Sequence, residues 1–138
     1  MTFNILIIGQ SGRLQYEAIM FLANLRQSAP DYEGQVFVVV PQHTERWNSN
    51  PTITDPEFRA LIKTLGGTTS PFEKIHFGED YPFENKIEAL SVLPEGEPFV
   101  FFDTDTLITG AIDSVPFDFE RPSALSKVDG TWPVIELY

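Results

Sequence analysis

Two short apolar runs, Asn4–Ile8 and residues 36–40, lack the polar alternation of a half-exposed strand, and they flank one long helical stretch. Runs of that length without alternation belong to strands covered on both faces. Between them Leu14, Ala18, Phe21, Leu22, Leu25 and Ala29 fall at i, i+4, i+7, i+8, i+11 and i+15, a single apolar stripe. Pro30 closes that helix and Pro41 stops the second strand. Strand, helix and parallel strand in this order make a βαβ unit with a right-handed crossover. The expected class is therefore α/β with a mostly parallel sheet.

Further along, residues 43–54 are polar and irregular. Asp55-Pro56-Glu57 then supplies an N-cap, a first-turn proline and a first-turn acid. Phe58, Leu61, Ile62 and Leu65 form the apolar face of a short helix that Gly66-Gly67 end. Residues 74–77 read as a short third strand. Residues 82–93 read as a further helix with Phe83, Ile87, Leu90 and Leu93 on its apolar side. Residues 98–102 read as a fourth strand, buried like the first, running straight into Asp103-Thr104-Asp105. Beyond Asp113 the signal weakens, and the finish on Trp132 to Tyr138, without a cap or closing strand, implies a larger fold cut at that point. With 138 residues the chain is a single domain (1–138) built on one core.

Charge and composition narrow the function. Nine Lys plus Arg stand against twenty Asp plus Glu, a net charge of −11. Such a field repels nucleic acid and anionic membranes. The absence of cysteine excludes thiolate metal sites, iron–sulfur clusters and cysteine nucleophiles, and two histidines, His43 and His76, cannot build a histidine-rich metal site alone. No segment approaches the ~20 apolar residues of a membrane span. The opening residues lack a basic stretch and read as a strand, so a cytoplasmic protein is expected.

The residues best suited to chemistry are Asp103 and Asp105. If strand geometry persists through them, side chains two apart point the same way and both carboxylates face one site. Ligands of an open parallel sheet bind at the carboxyl ends of its strands. Two hard oxygen donors there suit Mg²⁺ or Mn²⁺, whose remaining ligands come from water and substrate phosphate. The plain alternative is a solvated acidic turn that ends a strand. The loop Gly9-Gln10-Ser11-Gly12-Arg13 opens the first helix, but it matches neither the dinucleotide fingerprint nor the P-loop. Gly9 and Gly12 would then only shape the turn, with Ser11 capping the helix.

The stretch Phe101-Phe102-Asp103-Thr104-Asp105-Thr106-Leu107-Ile108, followed by Ile112-Asp113, resembles the Asp-x-Asp segment of GT-A-fold nucleotide-sugar glycosyltransferases, most closely the glycogenin-like and lipopolysaccharide galactosyltransferase-like group. The resemblance implies a Rossmann-like, GT-A-like nucleotide-binding half. It implies a UDP-sugar donor, an acceptor, and a divalent cation, Mn²⁺ or Mg²⁺, held at Asp105 and shared by Asp103, which would otherwise hold the ribose. Lys86, on the helix before the motif strand, would reach the donor phosphates or the metal-binding carboxylates. Gln10 and Arg13 would touch uracil or ribose, with Tyr16 and Glu17 on the same side. Members of this group often add a histidine ligand after the motif, and no histidine follows Asp105 here.

Two other readings remain open at this stage. Haloacid-dehalogenase-like phosphatases also end a buried strand in Asp-x-Asp, but they require threonine where Leu107 stands. A non-catalytic nucleotide-fold module would act by binding alone, its exposed sheet edge promoting a homo-oligomer.

Overall fold

β1 (Asn4–Ile8) and β2 (Val36–Pro41) are buried at every position, as their unbroken apolar runs require. They pair in parallel from Ile5 opposite Val36 to Ile8 opposite Val39. The computed structural model describes residues 2–75 and 85–123. Within them four parallel strands lie in the order β3-β2-β1-β4, with β3 at Gly67–Phe72 and β4 at Phe99–Phe101. This is the Rossmann-like α/β arrangement expected.

Alternation within β1 feeds two cores. Ile5 and Ile7 point to the face covered by α1 (Arg13–Ser28), where Ala18, Phe21, Leu22 and Leu25 are buried. α2 (Pro56–Thr64) adds Ile62 to the same face. Leu6 and Ile8 point the other way, joining Phe37, Val39, Phe72 and Ala89. α2 begins as its sequence dictates: Pro56 stands in the first turn and the Asp55 carboxylate accepts from the Glu57 amide at 2.8 Å.

Asn4 is the buried polar residue of β1. Its Nδ2 donates to Glu97 Oε2 at 2.7 Å, and its Oδ1 accepts from the Gln35 amide at 3.3 Å. One amide thus ties the entry of β1 to the residues that lead into β4 and β2.

Four local expectations are corrected. β3 occupies Gly67–Phe72 rather than 74–77, where the described residues Lys74 and Ile75 are not in a strand. It lies at a sheet edge with β2 on one side, so Thr68, Thr69 and Pro71 are exposed and leave no hydrophobic signature. β2 continues through Pro41, which pairs with Phe72 instead of stopping the strand. In the 82–93 segment the described part is a four-residue helix, α3 (Asn85–Glu88), tightening into a 3-10 turn at Ala89–Val92. Its inward face is Asn85, Glu88 and Ala89, whereas Ile87 is 63% and Leu90 38% exposed. Polar partners decide this orientation, because Glu88 Oε1 accepts from the Ile75 amide at 2.9 Å and Asn85 bonds across to Gln10. β4 is likewise an edge strand among the described residues, with Phe99 exposed and Val100 and Phe101 half-buried. The expectations for His76, for Phe83 and for the finish at Trp132–Tyr138 fall outside the described residues.

Candidate functional site

From β1 the chain steps outward through β2 to β3, then returns to β4 on the opposite flank of β1. The strand order reverses between β1 and β4, and the crevice outside the carboxyl ends of the strands at such a point is the usual ligand position of an open α/β sheet. The sequence-predicted residues gather there.

The β1 loop hugs the sheet because Gly9 packs where no side chain fits: a Cβ would lie 2.6 Å from Val38 Cγ1. Gly12, at φ 93°, turns the chain into α1. The expected Ser11 cap is absent. Gly12 is the N-cap, no side chain bonds to the first turn, and no acidic residue lies in it. The left-handed φ of Gly12 sets the entry geometry, while the Ser11 amide bonds to the Pro51 carbonyl at 2.8 Å. The first turn of α1 thus carries neither a side-chain cap nor an acidic residue of its own, a setting that favours an anion.

Gln10 Oε1 accepts from Asn85 Nδ2 at 3.1 Å, joining the β1 loop to α3. Asn85 is 3% exposed and its Oδ1 has no hydrogen-bond partner among the described residues. Beside it, Lys86 Nζ pairs with Asp103 Oδ1 at 2.5 Å and sits 5.7 Å from the centre of the Phe101 ring. The basic residue expected near the acidic motif is therefore in contact with it.

The motif is not a continuation of β4. The strand ends at Phe101, with one further ladder bond from the Phe102 amide to the Leu6 carbonyl, and the Thr106 amide then closes a turn on the Asp103 carbonyl at 3.0 Å. This turn replaces the extended geometry expected through the motif, and Thr104 is the residue of it that points inward. Thr104 is buried and its hydroxyl donates to Glu17 Oε2 at 2.8 Å. Asp103 and Asp105 flank it, both exposed, and Asp105 makes no ion pair among the described residues. Among those residues no cluster of three or more His, Asp or Glu could hold a metal ion.

Arg13 Nε pairs with the other oxygen of Glu17 at 3.2 Å while its side chain is largely exposed. Tyr16 stands edge-on to Phe58 with ring centres 4.9 Å apart, also exposed. His43 is exposed in the loop after β2. Asp113 is not part of this crevice: it borders a cleft of about 260 Å³ with Thr2, Asp31, Tyr32, Glu33 and Gly34, at the amino ends of β1 and β2. Sequence reasoning missed Asn85 and Thr104 as connecting residues. The signal available was position alone, one beside the singled-out lysine and the other between the two aspartates.

None of the described helices is long and apolar enough to cross a membrane. A family model described as a Rhodobacterales glycosyltransferase domain matches residues 5–138. Comparisons with curated proteins and with solved structures give no match. The matched span takes in nearly the whole sequence, and the chain belongs to this glycosyltransferase family.

Proposed function

We propose, on the premise that a member of this family moves a sugar from a donor to an acceptor, that the crevice beside β1 and β4 binds a nucleoside-diphosphate sugar of the UDP class. The fold would then be the donor-binding half of a GT-A enzyme of the glycogenin-like kind. The observation that carries the reading is the Lys86–Asp103 pair at the carboxyl end of the sheet, tied through the neighbouring Asn85 to the loop that opens α1. A cation and a helix start without a side-chain cap, together with two aspartates, are the parts a diphosphate and its metal ion need.

The donor chemistry fits Mn²⁺ or Mg²⁺. Asp103 and Asp105 supply hard oxygens from one turn, and such ions complete their shell with water and substrate phosphate instead of an all-protein cage. When bound, the ion neutralises charge on the leaving diphosphate. The chain's own residues do the rest. Asp105, exposed and outside any described ion pair, is the carboxylate open to a cation. Lys86 holds Asp103, and a donor phosphate paired with the Lys86 ammonium would leave the Asp103 carboxylate available to hold a cation. Gln10, whose carbonyl is engaged by Asn85, keeps its NH₂ available for the base or ribose.

Titration calorimetry with UDP tests this directly. Binding is expected with Mn²⁺ and lost in EDTA, and Asp105→Ala should abolish the metal dependence while the protein stays folded. Equal affinity with and without EDTA overturns the metal-assisted reading.

A further inference from the structure

One face of α1 carries three consecutive attachments for the segment around the aspartates. Glu17, Phe21 and Asn24 fall at i, i+4 and i+7, on one side of the helix. The Phe21 ring lies 5.6 Å from that of Phe102, the Glu17 carboxylate takes the Thr104 hydroxyl, and Asn24 Oδ1 takes the Ile108 amide. Followed along the chain, the segment leaves β4 over Phe21, advances toward the start of α1 as far as Glu17, reverses, and returns past Asn24. The Asp103–Thr106 turn is that reversal, and Glu17 is the attachment at its tip.

We infer that Glu17 is a positioning residue for the Asp103–Asp105 turn, acting through the Thr104 hydroxyl. Thr104 points its side chain inward, so its two neighbours face outward, and a carboxylate beneath it is the acceptor that makes this orientation favourable. A buried hydroxyl without an acceptor is costly, which gives the bond its hold on the turn. Arg13 pairs with the same carboxylate from the solvent side and steadies its rotamer. The turn's geometry stands on these contacts alone. Its use in holding a cation and diphosphate rests on the proposed donor function.

The test is amide exchange at Thr106, whose hydrogen bond to Asp103 closes the turn, measured on the whole chain beside Mn²⁺-dependent UDP affinity. Thr104→Val keeps the volume and removes the hydroxyl, and Glu17→Ala removes its acceptor. Each should speed Thr106 exchange by about tenfold and weaken UDP binding by a similar factor, with the amides of Ile7 and Val38 unchanged. Thr104→Ser and Glu17→Gln keep a donor and an acceptor and should stay within about threefold of the parent. The double variant should be no worse than either single one.

Unchanged Thr106 exchange in Thr104→Val overturns the inference, as does equal damage from the conservative and disruptive variants. Exchange that responds as expected in a chain that binds no UDP with Mn²⁺ upholds the Glu17 assignment and overturns the donor reading. Should Glu17→Ala fail to fold, Thr104→Val carries the decision.

Discussion

The two ends of the sheet are built from different materials. At the amino end Phe3 is buried among Tyr32, Phe117 and Phe119, with ring centres 5.3 to 5.5 Å away. The Tyr32 hydroxyl donates to the Phe3 carbonyl, closing the cluster. At the carboxyl end the same strands finish among Gln10, Asn85, Lys86, Asp103 and Thr104, joined by single hydrogen bonds and an exposed ion pair. Aromatic packing is non-directional and stabilises in proportion to buried area, whereas exposed ion pairs contribute little. One end thus holds the fold by buried area, and the other is held by single polar contacts.

The largest effect on stability is expected from Phe3→Ala, which empties the centre of the aromatic cluster. A loss of about 3–5 kcal/mol should appear in urea titration. An effect as small as that of a surface substitution would remove the contrast between the two ends. Tyr32→Phe comes next, at about 1 kcal/mol, because the Phe3 carbonyl loses its donor. Its pH dependence sharpens the point. Burial pushes the Tyr32 hydroxyl well above its ordinary value of 10.0, with the nearby Arg26 guanidinium pulling it back by less. In the unfolded chain this phenol ionises near its ordinary value, while in the folded chain it stays protonated. Its contribution is therefore complete below the unfolded value and is lost as pH rises beyond it, by up to about 1.4 kcal/mol per pH unit. Tyr32→Phe should flatten that alkaline fall by one proton. The smallest change is expected from Lys86→Ala, below about 1 kcal/mol, since its ion pair is solvent-exposed. UDP affinity in the presence of Mn²⁺ should nevertheless drop markedly in this variant. A large stability loss there, with affinity intact, would make the carboxyl end structural after all.

The same contrast explains what the sequence made legible. β1, α1 and β2 announce themselves because burial on both faces demands unbroken apolar runs and a helical stripe between them. β3 does not, since Gly67-Thr-Thr-Ser-Pro-Phe sits at an edge, where half its side chains meet solvent. The face of α3 is misread for a related reason: amphipathic spacing favours Ile87 and Leu90, but the buried hydrogen bonds of Asn85 and Glu88 turn the helix the other way. At the site, Asp103, Asp105 and Lys86 are recognisable from local context. The Gln10–Asn85 and Glu17–Thr104 bonds span 75 and 87 residues, and no local pattern encodes a partner that only the folded sheet brings near.

The buried amide of Asn4 has a consequence for strand register. Because one side chain addresses both Gln35 and Glu97, β1 is aligned with its neighbours on either flank at a single point. A slip of one residue would strand that amide without partners and swap the faces to which Ile5 and Leu6 point. The first strand is thus keyed to both neighbours, and only one phase of pairing satisfies the key.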